Sequence, residues 1–354
     1  MRILHIITSL YTGGAERLMV DLLPRLTDGG KNQVDLLLFN GVETPFKKSI
    51  MDQGIGVNWL AMTNDVYNPN RIVRMRKHLG GYDIIHTHNT ACQMYAPLAR
   101  MMTNTKAKLV TTEHSSNNWR RNKWWLKLVD RWMYSRYSAI VCISDISRRN
   151  LEQYAGKKKN IRLIPNGVDV DRFFSPVKDI RGKKNFVVTM VAALRAEKDH
   201  ETMLKAMTHL PDNYHLRLVG DGDKRAELKA LASEMGLDDR VTFMGVRMDV
   251  PDLLEQSDIN VLSSHWEGFG LVAVEGMASG RPFVASDVDG LHDVVGGAGE
   301  LVPAGDDKAL AERIQWLCEH PDAYHDVATR CQHAAKRYDI SVTAEKYLEL
   351  YNTL

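Results

Sequence analysis

The feature that most constrains the fold is a regular alternation of short apolar runs with longer amphipathic segments along nearly all 354 residues. The apolar runs are rich in β-branched residues, whereas segments such as 15–26 and 144–154 have helical spacing. Strands that are apolar on both faces and separated by helices are typical of parallel sheets. We therefore predict a doubly wound α/β fold, in which ligands bind beyond the carboxyl ends of the strands.

The alternation is interrupted once, at residues 171–184, where Pro176, Gly182 and paired lysines break the pattern. A chain of this length also exceeds the usual size of one hydrophobic core. We therefore predict two Rossmann-like domains, residues 1–175 and 176–339. The predicted strands are 2–8, 34–39, 57–60, 82–86, 109–112, 140–143 and 161–164, then 185–192, 215–219, 241–244, 259–263, 282–285 and 300–302.

The formal charge of +2 conceals an asymmetry between the two halves. Residues 1–175 hold 26 Lys and Arg against 14 Asp and Glu, while the remainder holds 20 against 30. Such a split favours separate domains and an anionic partner for the basic half, although a solvated surface is the alternative. No nucleic-acid recognition motif accompanies the basic half, so nucleic acid is not predicted as a partner.

Composition and leader signals favour a cytoplasmic protein. The four cysteines are widely spaced without a CxxC pattern, which argues against a zinc site or a disulfide framework. No apolar run approaches the length of a transmembrane helix. The apolar stretch at the start is too short for a signal peptide and reads as a buried strand.

The first predicted strand runs into a glycine-containing turn, with Gly13 and Gly14 before a helix. Glycines at such a junction let backbone N–H groups approach an anionic ligand at the helix N-terminus. The segment is neither a GxGxxG nor a Walker motif, so a dinucleotide fold and a P-loop ATPase are not indicated. Turn geometry alone is an equal explanation.

In the second half, Arg195 and Lys198 follow a predicted strand and are placed to bind a diphosphate. The next strand ends in a glycine-rich turn that contains Asp221 and Asp223, a D-x-D of the kind that binds divalent metal. Aspartate at a strand-to-helix junction is also a good helix N-cap. We favour the cap and predict that no metal is required.

The segment 264–282 combines glycines, a short apolar helix and two glutamates. The helix N-terminus at residues 268–270 offers unpaired amides for a phosphate. Glu275 lies inside the helix, where a carboxylate needs partners such as ribose hydroxyls. Glu267, in the preceding loop, would meet the other end of the same ligand. The alternative is one surface glutamate and one paired core glutamate.

Taken together, these segments resemble glycosyltransferase family 4, a large family of retaining enzymes with the GT-B fold. The most specific part is the E-x7-E motif from Glu267 to Glu275. The likeness covers nearly the whole chain. The other matching segments are Gly13-Gly14-Ala15-Glu16, Glu113-His114, the Ser144 region, Ile164-Pro165-Asn166-Gly167-Val168-Asp169, Arg195 with Lys198, and Gly220-Asp221-Gly222.

The resemblance implies four catalytic residues. Arg195 and Lys198 would neutralise the leaving nucleotide diphosphate as its charge develops. Glu267 would contact hydroxyls of the donor sugar and the positive face of an oxocarbenium-like transition state. His114 would lie near the reacting sugar.

The resemblance also implies how the donor binds, with UDP as the expected nucleotide ahead of GDP or ADP. Glu275 would hold the ribose hydroxyls. The remaining implied donor-binding positions are the amides of Phe269, Gly270 and Leu271 for phosphate oxygens, Gly13 and Gly14 for the diphosphate, and Gly245 and Val246 against the base.

The family is thought to react on one face of the sugar, the leaving phosphate oxygen taking the proton of the acceptor hydroxyl. This requires neither a protein nucleophile nor a metal. Two domains would face a central cleft and close on the donor, and a final helix, 340–354, would cross back to the first domain. His86 and His88 have metal-like spacing, but we assign them to a turn of the first domain.

Residues 119–137 hold four of the seven tryptophans and six Lys or Arg against one acid. Basic segments with interfacial tryptophans lie on anionic membrane surfaces. We therefore predict peripheral attachment to the inner face of the cell membrane and a glycan or lipid-linked acceptor, as in polysaccharide or glycolipid synthesis. The alternative is a helix whose tryptophans belong to the core.

Two other functions stay open from the sequence. A sugar-nucleotide 2-epimerase of the same fold would act on a nucleotide sugar without an acceptor. A non-catalytic sugar-nucleotide-binding protein would be expected to have lost donor-site residues, whereas Arg195, Lys198, Glu267 and Glu275 are all present.

Overall fold

A computed structural model describes residues 1–11, 13–114, 126–157 and 159–354. These residues divide into two compact units. The first comprises Met1–Gly167 with Ile340–Leu354, and the second comprises Val168–Asp339. Each contains a parallel sheet with helices, so the predicted class of two Rossmann-like units is confirmed.

The described strands of the first unit form one parallel sheet. They are β1 (Arg2–Ile7), β2 (Gln33–Asn40), β3 (Gly56–Ala61), β4 (Ile84–His88), β5 (Lys108–Glu113), β6 (Ala139–Cys142) and β7 (Ile161–Leu163). Their spatial order is β3-β2-β1-β4-β5-β6-β7. The order reverses between β1 and β4, so the loops after these strands diverge and leave a crevice at the carboxyl edge.

The sheet is buried on both faces, as the apolar runs predicted. In β1, Ile3 and Ile7 face one core layer while Leu4 and Ile6 face the other. Each such fully buried aliphatic side chain contributes about 1.5–3 kcal/mol. The helices of this part of the chain are α1 (Gly14–Leu26), α2 (Pro45–Asp52), α3 (Asn70–Met75), α4 (Thr90–Met101), α5 (Leu126–Ser135) and α6 (Asp145–Ala155).

The assignment of His86 and His88 to a turn was wrong. Both residues lie within β4 and both are fully buried. The strand continues past its predicted end at residue 86 because Thr87 and His88 pair with Thr111 and Thr112 of β5. A neighbouring strand therefore extends the element beyond the part that apolar patterning reveals.

The second unit contains another parallel sheet. Its described strands are β8 (Phe186–Val191), β9 (Tyr214–Val219), β10 (Val241–Gly245), β11 (Ile259–Leu262), β12 (Phe283–Ser286) and β13 (Glu300–Val302). Their order is β10-β9-β8-β11-β12-β13, so the reversal falls between β8 and β11. The helices are α7 (Val170–Phe173), α8 (His200–His209), α9 (Arg225–Glu234), α10 (Val250–Gln256), α11 (Leu271–Ala278), α12 (Asp289–Val295), α13 (Asp307–Glu319) and α14 (Pro321–Ala335).

The last helix, α15 (Ile340–Asn352), belongs to the first unit and packs on α1. Tyr347 and Tyr351 are buried in the core layer beside β1. A Cβ on Gly167 would lie 2.7 Å from the Cα of Ile340, so only glycine permits this close approach. The predicted return of the final helix to the first domain is thus confirmed.

The first boundary falls after Gly167, whereas the sequence pattern placed it after residue 175. The difference has a packing reason. Val170 and Phe173 of α7 are buried, and α7 contacts α10 and α11. These residues are therefore part of the second unit, and the segment 171–184, where the pattern is broken, lies near its N-terminal end.

Part of the basic segment 119–137 lies outside the described residues, which resume at Leu126. In α5, Met133 and Tyr134 are buried, whereas Leu128 is 69% and Val129 is 44% exposed. The helix therefore has one face in the core and an exposed face that combines apolar side chains with Arg131. Among the described residues, no helix combines the length and the apolar composition needed to cross a bilayer.

Candidate functional site

In the second unit, the strand order brings two predicted loops to one crevice. The loop after β8 carries Arg195 and Lys198, and the loop after β11 carries Glu267. Because β8 and β11 are neighbours at the reversal of the sheet, their carboxyl ends form the usual ligand site of an open α/β fold. Residues distant in sequence thereby become neighbours.

Lys198 and Glu267, 69 residues apart, form an ion pair in which Nζ donates to Oε1. The Ser264 hydroxyl donates to the same oxygen at 3.1 Å. The side chains are 22% and 11% exposed, so the pair is shielded but open to a ligand. Arg195 is exposed, and within the described residues no acid pairs with it. The crevice thus offers one unneutralised cation beside a fixed carboxylate.

Hydrogen bonds between the two loops fix their separation. The hydroxyl of Ser263 donates to the Asp199 carbonyl at 2.9 Å, and the amide of His265 donates to the Glu197 carbonyl at 2.9 Å. Asp199 has a left-handed backbone, with φ 48°, and its side chain accepts from the Thr202 amide as the cap of α8. A non-glycine residue in this conformation is held by its surroundings.

The glycine turn after β9 lies directly against the β8 loop. A Cβ on Gly220 would lie 2.0 Å from the carbonyl oxygen of Ala192, and Gly220 has φ 142°. A Cβ on Gly222 would lie 2.3 Å from the carbonyl oxygen of Leu194. Only glycine therefore permits this turn to pack against the backbone of Ala192 and Leu194, the segment that leads to Arg195.

Replacing Gly220 with Ala is expected to destabilise the second unit by roughly 2–4 kcal/mol, because the new methyl group meets backbone and the residue has an unfavourable φ. Gly236→Ala is the matched control, since Gly236 also has positive φ but has open space around it. It should cost only about 1–2 kcal/mol. Calorimetric unfolding of both variants measures the difference, and equal losses would contradict the packing explanation.

The Asp221–Asp223 pair does not cap the following helix. The position before α9 is occupied by Lys224, which makes no side-chain capping bond. Asp221 instead accepts from the Gly222 amide at 2.8 Å and from Arg225 at 2.9 Å. The predicted aspartate cap was therefore wrong, because the carboxylate binds the first side chain of the helix.

The glycine loop 268–270 ends at the N-terminus of α11. Gly270 has φ 83°, and a Cβ there would lie 2.7 Å from a methyl carbon of Leu291. Among the described residues, no group accepts a hydrogen bond from the amides of Phe269, Gly270 or Leu271. Free amides at a helix N-terminus favour a phosphate or another anion.

Glu275 lies in the second turn of α11 and is 8% exposed. It and Glu267 are therefore carried by one short helix and the loop before it. Gly245 is the last residue of β10 and Val246 follows it, and β10 lies two strands from β8 in the sheet order. Val246 is 55% exposed at that position. A ligand that reaches from Arg195 to Val246 would have to cross the carboxyl end of β9.

In the first unit, Gly13 and Gly14 begin α1, with Gly13 at the capping position. A Cβ on Gly13 would lie 2.3 Å from Oε2 of Glu16. The Glu16 carboxylate accepts weakly from Asn89 at 3.5 Å, and burial raises its pKa. The N-terminus of α1 thus holds an acid of its own chain, next to the two predicted glycines.

His114 follows β5, and its Nε2 lies 2.8 Å from Nδ1 of His88. Glu113, its neighbour, points to the other face, where it accepts from Gln93 at 2.9 Å and from Tyr134 at 2.6 Å. Glu113 and His114 therefore have different partners and different structural roles. Glu113 connects α4 and α5 to the end of β5, while His114 joins a group of histidines.

The sequence reasoning missed His5 and Asn89. His5, on β1, is fully buried and hydrogen-bonded to His88. Asn89, directly after β4, has φ 67° and donates to the Thr8 hydroxyl at 2.9 Å. The available signals were a histidine in a buried apolar strand and an Asn at a strand-to-helix junction, where positive φ is tolerated.

Two family models match the chain. Residues 12–172 match the model described as Glycosyltransferase Family 4, and residues 171–337 match the model described as Glycosyl transferases group 1. The division between the two matches lies close to the boundary between the two units.

Similar proteins cover most of the chain. The protein named glycosyltransferase EpsD of Bacillus subtilis is 27% identical over 77% of this chain and 76% of its own length. The phosphatidyl-myo-inositol mannosyltransferase of Mycobacterium leprae is 29% identical over 81% of this chain and 78% of its own. The solved structure of Anabaena HepE in complex with UDP-glucose covers 100% of both chains at 24% identity, with a TM-score of 0.88.

The likeness to HepE extends through both sheets and supports a GT-B fold. The relatives and the family models agree on the enzyme class, a glycosyltransferase. Since the two models together span residues 12–337, the chain belongs to glycosyltransferase family 4.

Proposed function

We propose that this glycosyltransferase moves a sugar from a UDP-sugar to a hydroxyl of a glycan or lipid-linked acceptor and retains the anomeric configuration. The observation that carries the proposal is the crevice of the second unit. There, the loop after β8 carries an unpaired Arg195 and Lys198, and the loop after β11 carries Glu267, which pairs with Lys198, and leads to the free amides at the N-terminus of α11. This combination suits a diphosphate joined to a sugar.

The diphosphate is the best-supported part of the donor. Arg195 can bind phosphate oxygens bidentately, Lys198 acts as a point charge, and the amides of Phe269, Gly270 and Leu271 donate along the axis of α11. As the bond to the sugar breaks, negative charge grows on the leaving phosphate. Fixed donors stabilise that charge without reorganising.

Glu267 would act on the sugar side of the same bond. Its Oε1 is held by Lys198 and Ser264, so the carboxylate is oriented before a ligand arrives. A fixed negative charge there stabilises an oxocarbenium-like centre. The leaving phosphate oxygen takes the proton of the acceptor hydroxyl, so attack and departure share one face and the configuration is retained. Glu275, buried in α11, would bind the ribose hydroxyls.

The assignment of UDP is supported by the HepE complex with UDP-glucose. The assignment of a lipid-linked acceptor is supported by the mannosyltransferase of M. leprae, whose name states a phosphatidylinositol substrate. The exposed face of α5, with Leu128, Val129 and Arg131, adds a surface suited to anionic lipid. We place the site of synthesis at the inner face of the cell membrane.

A ligand that binds only the folded protein stabilises it by mass action and therefore raises its melting temperature. At a ligand concentration of one hundred times Kd, the free energy of unfolding rises by about 2.7 kcal/mol. A thermal-shift screen should therefore show stabilisation by UDP and UDP-sugars above that by GDP and ADP. Absence of a shift from every nucleotide would remove the donor proposal. Incubation with a UDP-sugar alone separates an epimerase, which changes the sugar without an acceptor, from a glycosyltransferase, which needs one.

Transfer is expected to need no divalent metal, because Arg195 and Lys198 supply the positive charge at the diphosphate. Activity in excess EDTA should stay within about twofold of the untreated rate. Initial rates with and without EDTA, followed by readdition of Mg²⁺ or Mn²⁺, provide the measurement. A loss that either ion restores would show that a metal takes part.

Binding to anionic liposomes is expected, and it should weaken with salt because surface charges are screened. Arg131→Gln should weaken it about fivefold, since one cation near an anionic surface contributes about 1 kcal/mol. Arg76→Gln, an exposed arginine on another segment, is the control. Co-sedimentation at low and physiological salt measures both, and equal effects would exclude α5 as the contact.

A further inference from the structure

A second set of contacts joins the two loops that carry Lys198 and Glu267. Asp199 directly follows Lys198 in the loop after β8, and His265 lies two residues before Glu267 in the loop after β11. Nδ1 of His265 lies 3.5 Å from Oδ2 of Asp199. The function proposed above uses Lys198 and Glu267 but neither of these neighbours, so their contact needs a separate explanation.

Asp199 is a buried carboxylate at the junction of the two loops. Its side chain is 5% exposed. One oxygen accepts from the Thr202 amide at 3.3 Å and the other from the Thr202 hydroxyl at 2.6 Å, and both of these donors are neutral. Among the described residues, His265 is the only basic side chain that pairs with this carboxylate. Because a buried negative charge is costly without a compensating group, His265 faces a fixed and attractive partner.

The geometry at His265 makes the contact attractive whether or not the ring is charged. A carboxylate oxygen only accepts hydrogen bonds, so the Nδ1 that faces Asp199 carries a proton in the neutral ring as well as in the cation. At 3.5 Å the interaction is mainly electrostatic rather than a short hydrogen bond. The His265 side chain is 55% exposed, so it can be replaced without opening a cavity.

His265 also binds the loop after β8 through its backbone. Its amide donates to the Glu197 carbonyl at 2.9 Å, and the Ser263 hydroxyl donates to the Asp199 carbonyl at 2.9 Å. The loop after β11 is therefore attached to residues 197 and 199, on both sides of Lys198. These attachments precede Glu267 in the chain and restrict the direction from which its side chain reaches Lys198.

The Lys198–Glu267 ion pair cannot by itself keep the two loops at a constant separation during the proposed reaction. As negative charge grows on the leaving diphosphate, Lys198 is attracted to it and its bond to Glu267 weakens. A contact that gives up one partner to the substrate no longer fixes the distance between its loops. The His265–Asp199 contact involves neither of these side chains, so it can persist when the donor binds.

We propose that His265 and Asp199 are positioning residues, which hold the loop after β11 against the loop after β8 so that Glu267 stays opposite the reacting carbon while Lys198 turns to the diphosphate. The contact between the loops is a property of the protein alone, whereas its effect on sugar transfer rests on the proposed function. Exposed ion pairs contribute little to stability, but small displacements of a charged group at a reacting centre slow catalysis strongly. The expected effect is therefore on kcat rather than on folding.

Hydrogen exchange of the full-length protein without substrate tests the contact directly. In His265→Ala the amide at position 265 should exchange about tenfold faster than in the wild type, because the loop separates more often from the Glu197 carbonyl. In His265→Asn it should stay within about threefold of the wild type, since the Asn amide lies close to the place of Nδ1 and can donate to Asp199. His209→Ala, which removes a histidine paired with Asp307 elsewhere in the same unit, is the control and should leave this exchange unchanged. Equal exchange in the wild type and His265→Ala would overturn the proposal.

Transfer kinetics separate positioning from a merely structural role. The kcat of His265→Ala should fall about fivefold while KM for the UDP-sugar changes less than about twofold, because Arg195 and the amides at the start of α11 still bind the diphosphate. His265→Asn should recover most of the lost rate. Equal losses in the two variants would contradict a role through Asp199, and so would a full rate in His265→Ala.

A double substitution tests whether Asp199 is the partner. Asp199→Asn keeps an oxygen for the cap of α8 and a side chain that tolerates positive φ, but it removes the charge that faces His265. If His265 acts through Asp199, the loss of rate in Asp199→Asn/His265→Ala should not exceed the larger of the two single losses. Multiplied losses would show that each residue acts alone and would overturn the proposal.

The outcomes distinguish this inference from the proposed function. Faster exchange in His265→Ala, in a protein that transfers no sugar from any UDP-sugar, would contradict the proposed function and support the loop contact. Unchanged exchange would overturn the contact whatever the rate of transfer. Melting temperatures of all variants show whether any of them fails to fold, and the comparison of His265→Ala with His265→Asn does not depend on Asp199→Asn.

Discussion

Lys198→Ala is expected to lower kcat by about 10²–10³-fold, the largest single loss from any substitution in the second unit. In the proposed function, the Lys198 side chain is a donor aimed at charge that develops only during reaction, and removal of one such donor typically has this effect. It also leaves Glu267 without its ion-pair partner. Initial rates over a range of UDP-sugar concentrations measure kcat and KM separately.

Lys205→Ala provides the matched control for this prediction. Lys205 is an exposed lysine on α8, so its removal changes the charge of the unit equally without touching the crevice. It should change kcat by less than about twofold. Similar losses in the two variants would mean that Lys198 contributes only general charge.

Glu267→Gln is expected to lower kcat about 10²-fold while the Kd of the UDP-sugar changes less than about threefold. Glutamine keeps an acceptor for the Ser264 hydroxyl but removes the negative charge that the proposed function places opposite the reacting carbon. Ground-state binding through the diphosphate and the ribose is untouched. Calorimetry gives Kd, and initial rates give kcat.

Glu275→Gln is the counterpart, since Glu275 lies inside α11 rather than in the loop. It should raise Kd about tenfold with a smaller change in kcat, because a charged acceptor for the ribose hydroxyls is lost. The same two measurements apply. Equal effects of both substitutions on Kd and kcat would refute the division of roles between the two glutamates.

A double substitution tests whether Lys198 and Glu267 act as a unit. Their side chains touch, so the loss in Lys198→Ala/Glu267→Gln should be smaller than the product of the single losses. Additive losses would indicate that each side chain acts on a different part of the substrate.

Much of the fold followed from the sequence because its signals are local. Apolar runs of strand length separated by helical segments require buried parallel strands, and their bounds agree with the structure within a few residues. Glycines at strand ends are also a local signal, because they indicate turns that other residues cannot form. Gly220 and Gly270 have positive φ and leave no space for a Cβ. Backbone geometry of this kind restricts the residue type directly.

The first boundary and the aspartate cap show where local signals mislead. Pro176 and Gly182 interrupt the pattern, yet the chain enters the second unit earlier because α7 packs there. Asp221 has the composition of a cap, yet Arg225 binds its carboxylate. In both cases a contact made by a neighbouring segment overrides the propensity of the residue itself.

The sequence by itself determined the α/β class, the two units and the family motif with Glu267 and Glu275. Only the tertiary structure decided that Lys198 binds Glu267 and that His5, His88 and His114 form one chain. Periodicity tells which face of a strand is buried, but the neighbours of that strand depend on the order of strands in the sheet. Side chains 26, 69 and 83 residues apart meet because that order, rather than their local sequence, brings their strands together.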